Sequence, residues 1–146
     1  MIDIFSLKVE EIASKIKDAQ LTSVEVCEKY IEKINKFEKD LKAWVYFDKK
    51  LLLEKAAEAD KYRQSGKPMG PLHGIPIAVK DIVGTVDMPT ECGTVIKKEK
   101  SFSQNAEIID LLLAAGAIVM GKTATAEFAY LGPPKTTNPH DHSRTP

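Results

Sequence analysis

The sequence has few cysteines, no excess of either charge and no long apolar run. Its two cysteines, Cys27 and Cys92, are too few for a disulfide framework and lack the spacing of a zinc site. Basic and acidic residues number 21 each, so the net charge provides no attraction to nucleic acid or to an anionic membrane. The longest apolar run, 111–120, is half of the roughly 20 residues that a membrane-spanning helix requires. We therefore expect neither a nucleic-acid partner nor a membrane partner.

Signals for export and for metal binding are also missing. Residues 1–6 lack the basic segment and apolar stretch of a secretory signal peptide. His140 and His142 flank Asp141 in a proline-rich tail, without a further ligand at a recognisable spacing. The sequence thus predicts a cytoplasmic chain with no metal and no cofactor.

Proline is absent from residues 1–67, whereas residues 68–146 contain all eight prolines and seven of the eight glycines. The first part can therefore form uninterrupted helices, and the second is divided by turns. The apolar periodicity predicts three helices in the first part: 8–19, a helix that begins at a capping box of Thr22 and Glu25, and 49–64.

The second part has the pattern strand, helix, strand. The apolar run 75–79 predicts a strand that ends at Lys80, and Pro76 must lie at its start or on a sheet edge because proline cannot donate to a ladder. A helix is expected over 104–115 and a buried strand over 117–120. The residues expected on the inner face of that helix are Ile108, Ile109, Leu112 and Leu113.

This order predicts an α/β fold, in which N-terminal helices precede the beginning of a mixed β-sheet flanked by helices. We expect residues 1–67 to form a helical arm and residues 68–146 to form the start of the α/β core. The short apolar run 43–47 fits either a turn or a strand.

The segment Gly116–Thr123 matches the P-loop pattern of glycine, four residues and then Gly-Lys-Thr. In a P-loop the four variable residues form a loop whose amides surround phosphate oxygens. Here they are Ala, Ile, Val and Met, which favour a buried strand, and the preceding segment is a helix. We therefore interpret Gly116 as a helix end, Gly121 as a site of close packing and Lys122 as leaving the end of a strand.

Several motifs in the second part resemble, in the right order, those of the amidase signature family. The run from Gly70 to Asp81 resembles the family's lysine motif, because two glycines and two prolines lead into an apolar strand that ends in a lysine. The other matching blocks are Pro89-Thr90 with Cys92-Gly93-Thr94, Ala115-Gly116-Ala117-Ile118 with Gly121-Lys122-Thr123, Glu127-Phe128-Ala129, and Asn138-Pro139 with Arg144-Thr145-Pro146.

The resemblance implies amide C–N bond hydrolysis by a serine, a serine held by a cis peptide bond, and a lysine. By position Lys80 is the lysine, which acts as the general base. A lysine is a base only when neutral, and burial favours its neutral form. Phe128 matches a segment that lines the substrate pocket in relatives, although core packing is an equally good interpretation.

The family's Gly-Gly-Ser-Ser-Gly signature would follow Pro146, so both catalytic serines are expected downstream of this sequence. The resemblance thus implies that residues 1–146 are an N-terminal fragment of one amidase domain, inactive alone. None of the seven serines present lies in a matching motif: Ser6, Ser14, Ser23, Ser65, Ser101, Ser103 and Ser143.

Three alternatives remain open at this point. A small-molecule amidase is favoured over an ammonia-generating amidotransferase subunit that acts on misacylated tRNA. The reason is that Ala124–Tyr130 departs from the Asn-Met-Asp-Glu-Phe-Ala-Met-Gly run typical of those subunits. A nucleotide-binding module at Gly116–Thr123 and a non-catalytic remnant are the alternatives from other classes. The amide substrate and the oligomeric state stay open.

Overall fold

The computed structural model describes residues 2–97, 101–130 and 132–146. The helices are α1 (Val9–Lys17), α2 (Ser23–Leu41), α3 (Lys49–Gln64) and α4 (Glu107–Ala114). The strands are β1 (Trp44–Phe47), β2 (Pro76–Lys80) and β3 (Ile118–Thr123).

Local signals determine where the first helices begin. The Thr22 hydroxyl accepts a hydrogen bond from the Glu25 amide at 3.0 Å, and the Glu25 carboxylate accepts one from the Thr22 amide at 2.7 Å. This confirms the predicted capping box of α2. Asp48 caps α3 in the same manner, by accepting hydrogen bonds from the amides of Lys50 and Leu51 at 2.9 and 3.0 Å.

The sheet has the strand order β1-β3-β2. Strands β2 and β3 are parallel and joined through α4, whereas β1 is antiparallel to β3. This confirms the predicted α/β fold, its β-α-β crossover and its mixed sheet. Pro76 is the first residue of β2, which is an edge strand among the described strands. Because β1 comes from residues 1–67, both parts of the chain contribute strands to the sheet.

Strand β3 contains one extra residue, Met120, relative to the parallel strand β2. Ile77 pairs with Val119, but the next residue of β2, Ala78, pairs with Gly121. Such a bulge reverses the alternation of side chains along the strand beyond it. After the bulge, Val79 pairs with residue 122, so the side chain of residue 122 lies on the face of the sheet that carries Val79 and Val119.

The two faces of the sheet are covered by different elements. Helices α2 and α3 pack on Ile118 and Met120 through buried residues that include Leu52. On the opposite face, Val79 and Val119 pack against Ile109 of α4. The sheet is thus flanked by helices on both faces, as predicted. A third apolar cluster joins α1 to the start of α2 and to the segment before β2.

The predicted inner face of α4 is partly wrong. Ile109 is 2% exposed, but Ile108 is 53% exposed and Leu113 is 43% exposed. Successive side chains of a helix point about 100° apart. When Ile109 and Leu112 face the sheet, Ile108 and Leu113 therefore lie at the margins of the apolar stripe. Since α4 has eight residues, only this narrow stripe faces the sheet in the described part of the chain.

Two kinds of feature are absent from the residues that the structure describes. No helix in these ranges is both long enough and apolar enough to cross a bilayer. The same ranges contain no group of three or more His, Cys, Asp or Glu side chains arranged to hold a metal ion.

Candidate active site

Lys80 is the last residue of β2, and its side chain is exposed. The β-branched residues Ile77 and Val79 favour the strand. The strand ends because the backbone turns: the amides of Ile82 and Val83 both donate to the Lys80 carbonyl oxygen, at N···O distances of 2.8 and 3.0 Å. Lys80 thus lies at the carboxyl end of a parallel strand, the edge at which α/β proteins carry ligand-binding side chains.

Asp81 is fully buried and holds a later loop against the end of β2. Its carboxylate oxygens accept hydrogen bonds from the amides of Glu91 and Gly93 at 3.1 and 3.3 Å, and its carbonyl oxygen accepts one from the Cys92 amide at 2.9 Å. Three successive amides can converge because Cys92 and Gly93 have φ values of 56° and 68°. These hydrogen bonds compensate a buried charge that would otherwise be costly.

The sequence reasoning did not assign a role to Asp81. Its partners lie ten or more residues further along the chain, so local spacing gives no direct signal. Gly93 is the residue in the sequence that indicates a close contact in this loop, because a glycine in a turn often marks a close backbone approach. A Cβ atom at Gly93 would lie 2.7 Å from the Thr125 carbonyl oxygen and 2.9 Å from that of Ala126.

Lys122 is the buried lysine of this region. Its side chain is 0% exposed, and Nζ donates to the Val83 carbonyl and to the Thr90 hydroxyl, both at 2.6 Å. The Thr85 hydroxyl lies 3.5 Å from Nζ. Burial lowers the pKa of Lys122 below its ordinary value of 10.5, and the nearby Asp81 carboxylate opposes that shift. The expectation that Lys122 leaves the strand end is wrong, because β3 continues through it and the Met120 bulge directs its side chain inward.

The segment Gly116–Thr123 is not a P-loop. Gly116, with φ of 89°, follows the end of α4, and the Ile118 amide donates to the Ile75 carbonyl oxygen at 2.8 Å. Backbone amides that would surround a phosphate in a P-loop therefore form hydrogen bonds within the sheet. The side chain of Lys122 is enclosed by protein and cannot reach a phosphate. Gly121 packs closely as predicted, since a Cβ atom there would lie 2.6 Å from the Tyr46 carbonyl oxygen.

Phe128 lies in a strained turn beside the loop that Asp81 holds. Phe128 and Ala129 have φ values of 50° and 59°, a conformation that costs a non-glycine residue about 1–3 kcal/mol. The Phe128 amide donates to the Cys92 carbonyl oxygen at 2.8 Å, and its side chain is 44% exposed. The fold thus links Phe128 to Asp81 through Cys92.

A cavity of about 770 Å³ opens at the carboxyl ends of β2 and β3. Trp44, Asp81, Thr125 and Glu127 are among the residues that line it. The Thr125 hydroxyl is buried and has no hydrogen-bond partner within the described ranges. Lys80 does not line this cavity in the described part of the chain, so the cavity and the predicted base are neighbours rather than one enclosed site.

A sequence profile of the Amidase family matches residues 25–146. The chain belongs to the amidase family. Among its relatives is AmiD of Mycobacterium tuberculosis, which is named as an amidase; it is 39% identical, and the match covers 94% of this chain and 30% of that protein. A glutamyl-tRNA(Gln) amidotransferase subunit from Chloroflexus aurantiacus is 35% identical, with 100% of this chain and 31% of the relative covered.

Solved amidase structures share the fold. The native peptide amidase of Stenotrophomonas maltophilia matches with a TM-score of 0.87 and 27% identity, over 96% of this chain and 31% of that one. A fatty acid amide hydrolase matches with a TM-score of 0.83 and 28% identity, over 95% of this chain and 26% of that one. This amidase chain therefore spans about 30% of the length of the curated relatives that it matches.

No serine hydroxyl in the described part of this amidase chain is hydrogen-bonded to Lys80. Ser23 is fully buried in the core and its hydroxyl has no partner in the described ranges. Ser143 donates to the Asp141 carboxylate at 2.6 Å, and Ser65 donates to the carbonyl oxygen of Tyr62, also at 2.6 Å. The structure therefore places Lys80 and Asp81 at the end of β2 and Lys122 on the opposite face of the sheet from Lys80, and it joins none of the described serines to them.

Proposed function

We propose that this amidase chain supplies the general base for hydrolysis of a carbon–nitrogen amide bond in a small molecule, and that Lys80 is that base. The observation that supports this proposal is the location of Lys80 at the carboxyl end of β2, with its backbone held by the turn to Val83. The neutral amine would accept a proton by way of a serine pair, while one serine oxygen attacks the amide carbon. The proton would then pass to the leaving amine.

We further propose that residues 1–146 alone do not hydrolyse an amide. A lysine acts as a base in its neutral form, and burial is the usual means of favouring that form. In this chain Lys80 is exposed, and the burial is found at Lys122 instead. Residues that carry the serines would also have to cover the end of β2, so a nucleophile and a desolvated base would be assembled together.

The test is ammonia release from a panel of small amides, with the 146-residue chain and with the complete product of its gene. We expect turnover only with the complete product, and loss of Lys80 there to reduce it by about 10³-fold or more. Lys61→Ala, which removes an exposed lysine on α3, is the matched control. Turnover that survives Lys80→Ala would refute the base assignment, and Lys80-dependent turnover by the 146 residues alone would refute their inactivity.

A second candidate is the ammonia-generating component of an amidotransferase, supported by the 35% identity to a subunit of a glutamyl-tRNA(Gln) amidotransferase. The run Ala124–Tyr130 argues against it, because it departs from the sequence typical of those subunits. Glutamine distinguishes the two candidates within the same panel. Preferential ammonia release from glutamine would favour the amidotransferase component, whereas preference for other amides would favour the small-molecule amidase.

A further inference from the structure

Lys122 binds the segment that follows Lys80. Its Nζ donates to Val83 and Thr90 at 2.6 Å, and the Thr85 hydroxyl is within 3.5 Å. An ammonium group has three donors, and three oxygen atoms of one loop surround this one. The Thr85 hydroxyl itself donates to the Met88 carbonyl at 3.1 Å, which leaves its lone pairs available to Lys122.

Net stabilisation by an ion pair does not explain a lysine at this position. No carboxylate of the described residues forms a salt bridge with Lys122, and the carboxylate of Asp81 is engaged by the amides of Glu91 and Gly93. Transfer of an ammonium into protein costs several kcal/mol, and apolar residues of similar volume often stabilise such positions better. A methionine would fill the same space. We therefore attribute the presence of an amine at residue 122 to its hydrogen bonds with the oxygen atoms of Val83, Thr85 and Thr90.

Val83 connects Lys122 to Lys80. Its amide donates to the Lys80 carbonyl oxygen at 3.0 Å, and its own carbonyl oxygen accepts from Lys122 Nζ at 2.6 Å. Lys122 pairs with Val79 and shares its face of the sheet, whereas Lys80 is the next residue along β2 and points to the opposite face. The side chain of Lys122 therefore reaches Lys80 through the turn, in addition to the backbone pairing of β3 with β2.

We propose that Lys122 is a positioning residue for Lys80: it holds residues 83–90 and thereby fixes the turn from which the Lys80 side chain projects. The catalytic part of this inference, that Lys122 orients a general base, rests on the proposed function of Lys80. The geometric part, that Lys122 holds the turn, is independent of that function and can be measured without any turnover.

Hydrogen exchange of the Val83 amide in Lys122→Met tests the geometric part. Loss of a hydrogen bond to a charged group corresponds to about a tenfold or larger change in a local opening equilibrium. We expect the Val83 amide to exchange about tenfold faster in the variant, while the Ile31 amide in α2 keeps its rate. Unchanged exchange at Val83, or equal acceleration at Val83 and Ile31, would overturn the proposal, because the second result describes a general loss of stability.

A pair of threonine variants provides the control and covers the case in which Lys122→Met does not fold. Thr90→Val removes one acceptor of Lys122, so it should accelerate exchange at Val83 in the same direction and by a smaller factor. Thr125→Val removes a buried hydroxyl that has no hydrogen-bond partner among the described residues, so it should leave Val83 unchanged. Equal effects of the two variants on Val83 would overturn the proposal.

Kinetics of the complete gene product test the catalytic part. A residue that orients the base should lower kcat with little change in KM, and Lys122→Met should cause no further loss once Lys80 is alanine. A rise in KM alone would overturn the catalytic part. Turnover that survives Lys80→Ala would instead refute the proposed function, and exchange at Val83 would still decide whether Lys122 holds the turn.

Discussion

The carboxylate of Asp60 on α3 accepts a hydrogen bond from the backbone amide of Ser23 at 2.8 Å, and so caps α2 from another helix. Its second oxygen accepts one from the Val24 amide at 3.1 Å. The hydroxyl of Thr22 serves the Glu25 amide, so the two caps satisfy different donors of the first turn. One carboxylate thus joins α3 to the start of α2 through residues that are 37 positions apart in the sequence.

Replacing Asp60 with alanine should lower the free energy of unfolding by about 2–3 kcal/mol, because the buried Ser23 amide and the half-buried Val24 amide lose their carboxylate acceptor. The midpoint of urea denaturation measures this change. Asp40→Ala removes an exposed carboxylate near the end of α2 and should change the stability by less than about 0.5 kcal/mol. Equal effects of the two substitutions would contradict the capping role.

Gly74 has a positive φ of 75° and leaves no room for a side chain, since a Cβ atom would lie 2.1 Å from the Ser23 hydroxyl oxygen. Gly66 has a similar φ of 71°, but nothing lies within 4 Å of its Cβ position. Gly66→Ala should therefore cost about 1–2 kcal/mol from backbone strain alone. Gly74→Ala should cost about 1–3 kcal/mol more, because Ser23 is fully buried and cannot move aside.

Urea denaturation of Gly66→Ala and Gly74→Ala measures the difference between their free energies of unfolding. Ser23→Ala in the Gly74→Ala background should recover part of the lost stability, because the nearest remaining atom of residue 23 is 3.1 Å away. No recovery in the double variant would show that backbone strain, and not the contact with Ser23, accounts for the loss.

Much of the fold could be predicted because its signals are local. The capping box of Thr22 and Glu25 and the proline at the start of β2 each act within a few residues. The exposed positions of Ile108 and Leu113 on α4 could not be predicted in this way. Which residues of a short apolar helix face inward depends on how the helix lies on the sheet, and periodicity gives a stripe whose margins are undefined.

The candidate site could be predicted only in part. The glycines and prolines before β2 marked Lys80 as the residue at a strand end, and the structure agrees. The burial of Lys122 was missed because the predicted strand ended at residue 120, whereas β3 continues to Thr123 and the bulge at Met120 turns Lys122 to the face that carries Val79. Asp81 was missed because its partners approach from a loop whose path depends on tertiary contacts.

Burial raises the pKa of the Cys27 thiol from 9.0 to about 12, with smaller contributions from Asp60 and Glu28. The unfolded chain should therefore release the thiol proton at a lower pH than the folded chain. The stabilisation of the folded state by a neutral thiol is complete below pH 9.0 and is lost as the pH rises toward about 12.

Cys27→Ala should flatten the decline of stability in this alkaline range. The measurement compares urea midpoints of the native sequence and the variant at pH values below and above 9.0, and uses the slopes because the substitution also removes core volume. Ile31→Val, at a buried residue of the same helix with no titratable group, is the control for lost core volume and should retain the native slope. Identical slopes for the native sequence and Cys27→Ala would contradict the raised pKa.

Lys122 should produce a pH dependence of the opposite sign. Burial lowers its pKa in the folded chain, so between that lowered pKa and the ordinary 10.5 the unfolded chain binds more protons than the folded one. Stability conferred at this site should therefore rise with pH across that interval and be lost as the pH falls through the lowered pKa. In Lys122→Met this rise should disappear, which urea midpoints at a series of pH values below 10.5 would reveal. A variant whose stability still rises as steeply as that of the native chain would show that another group titrates in this range.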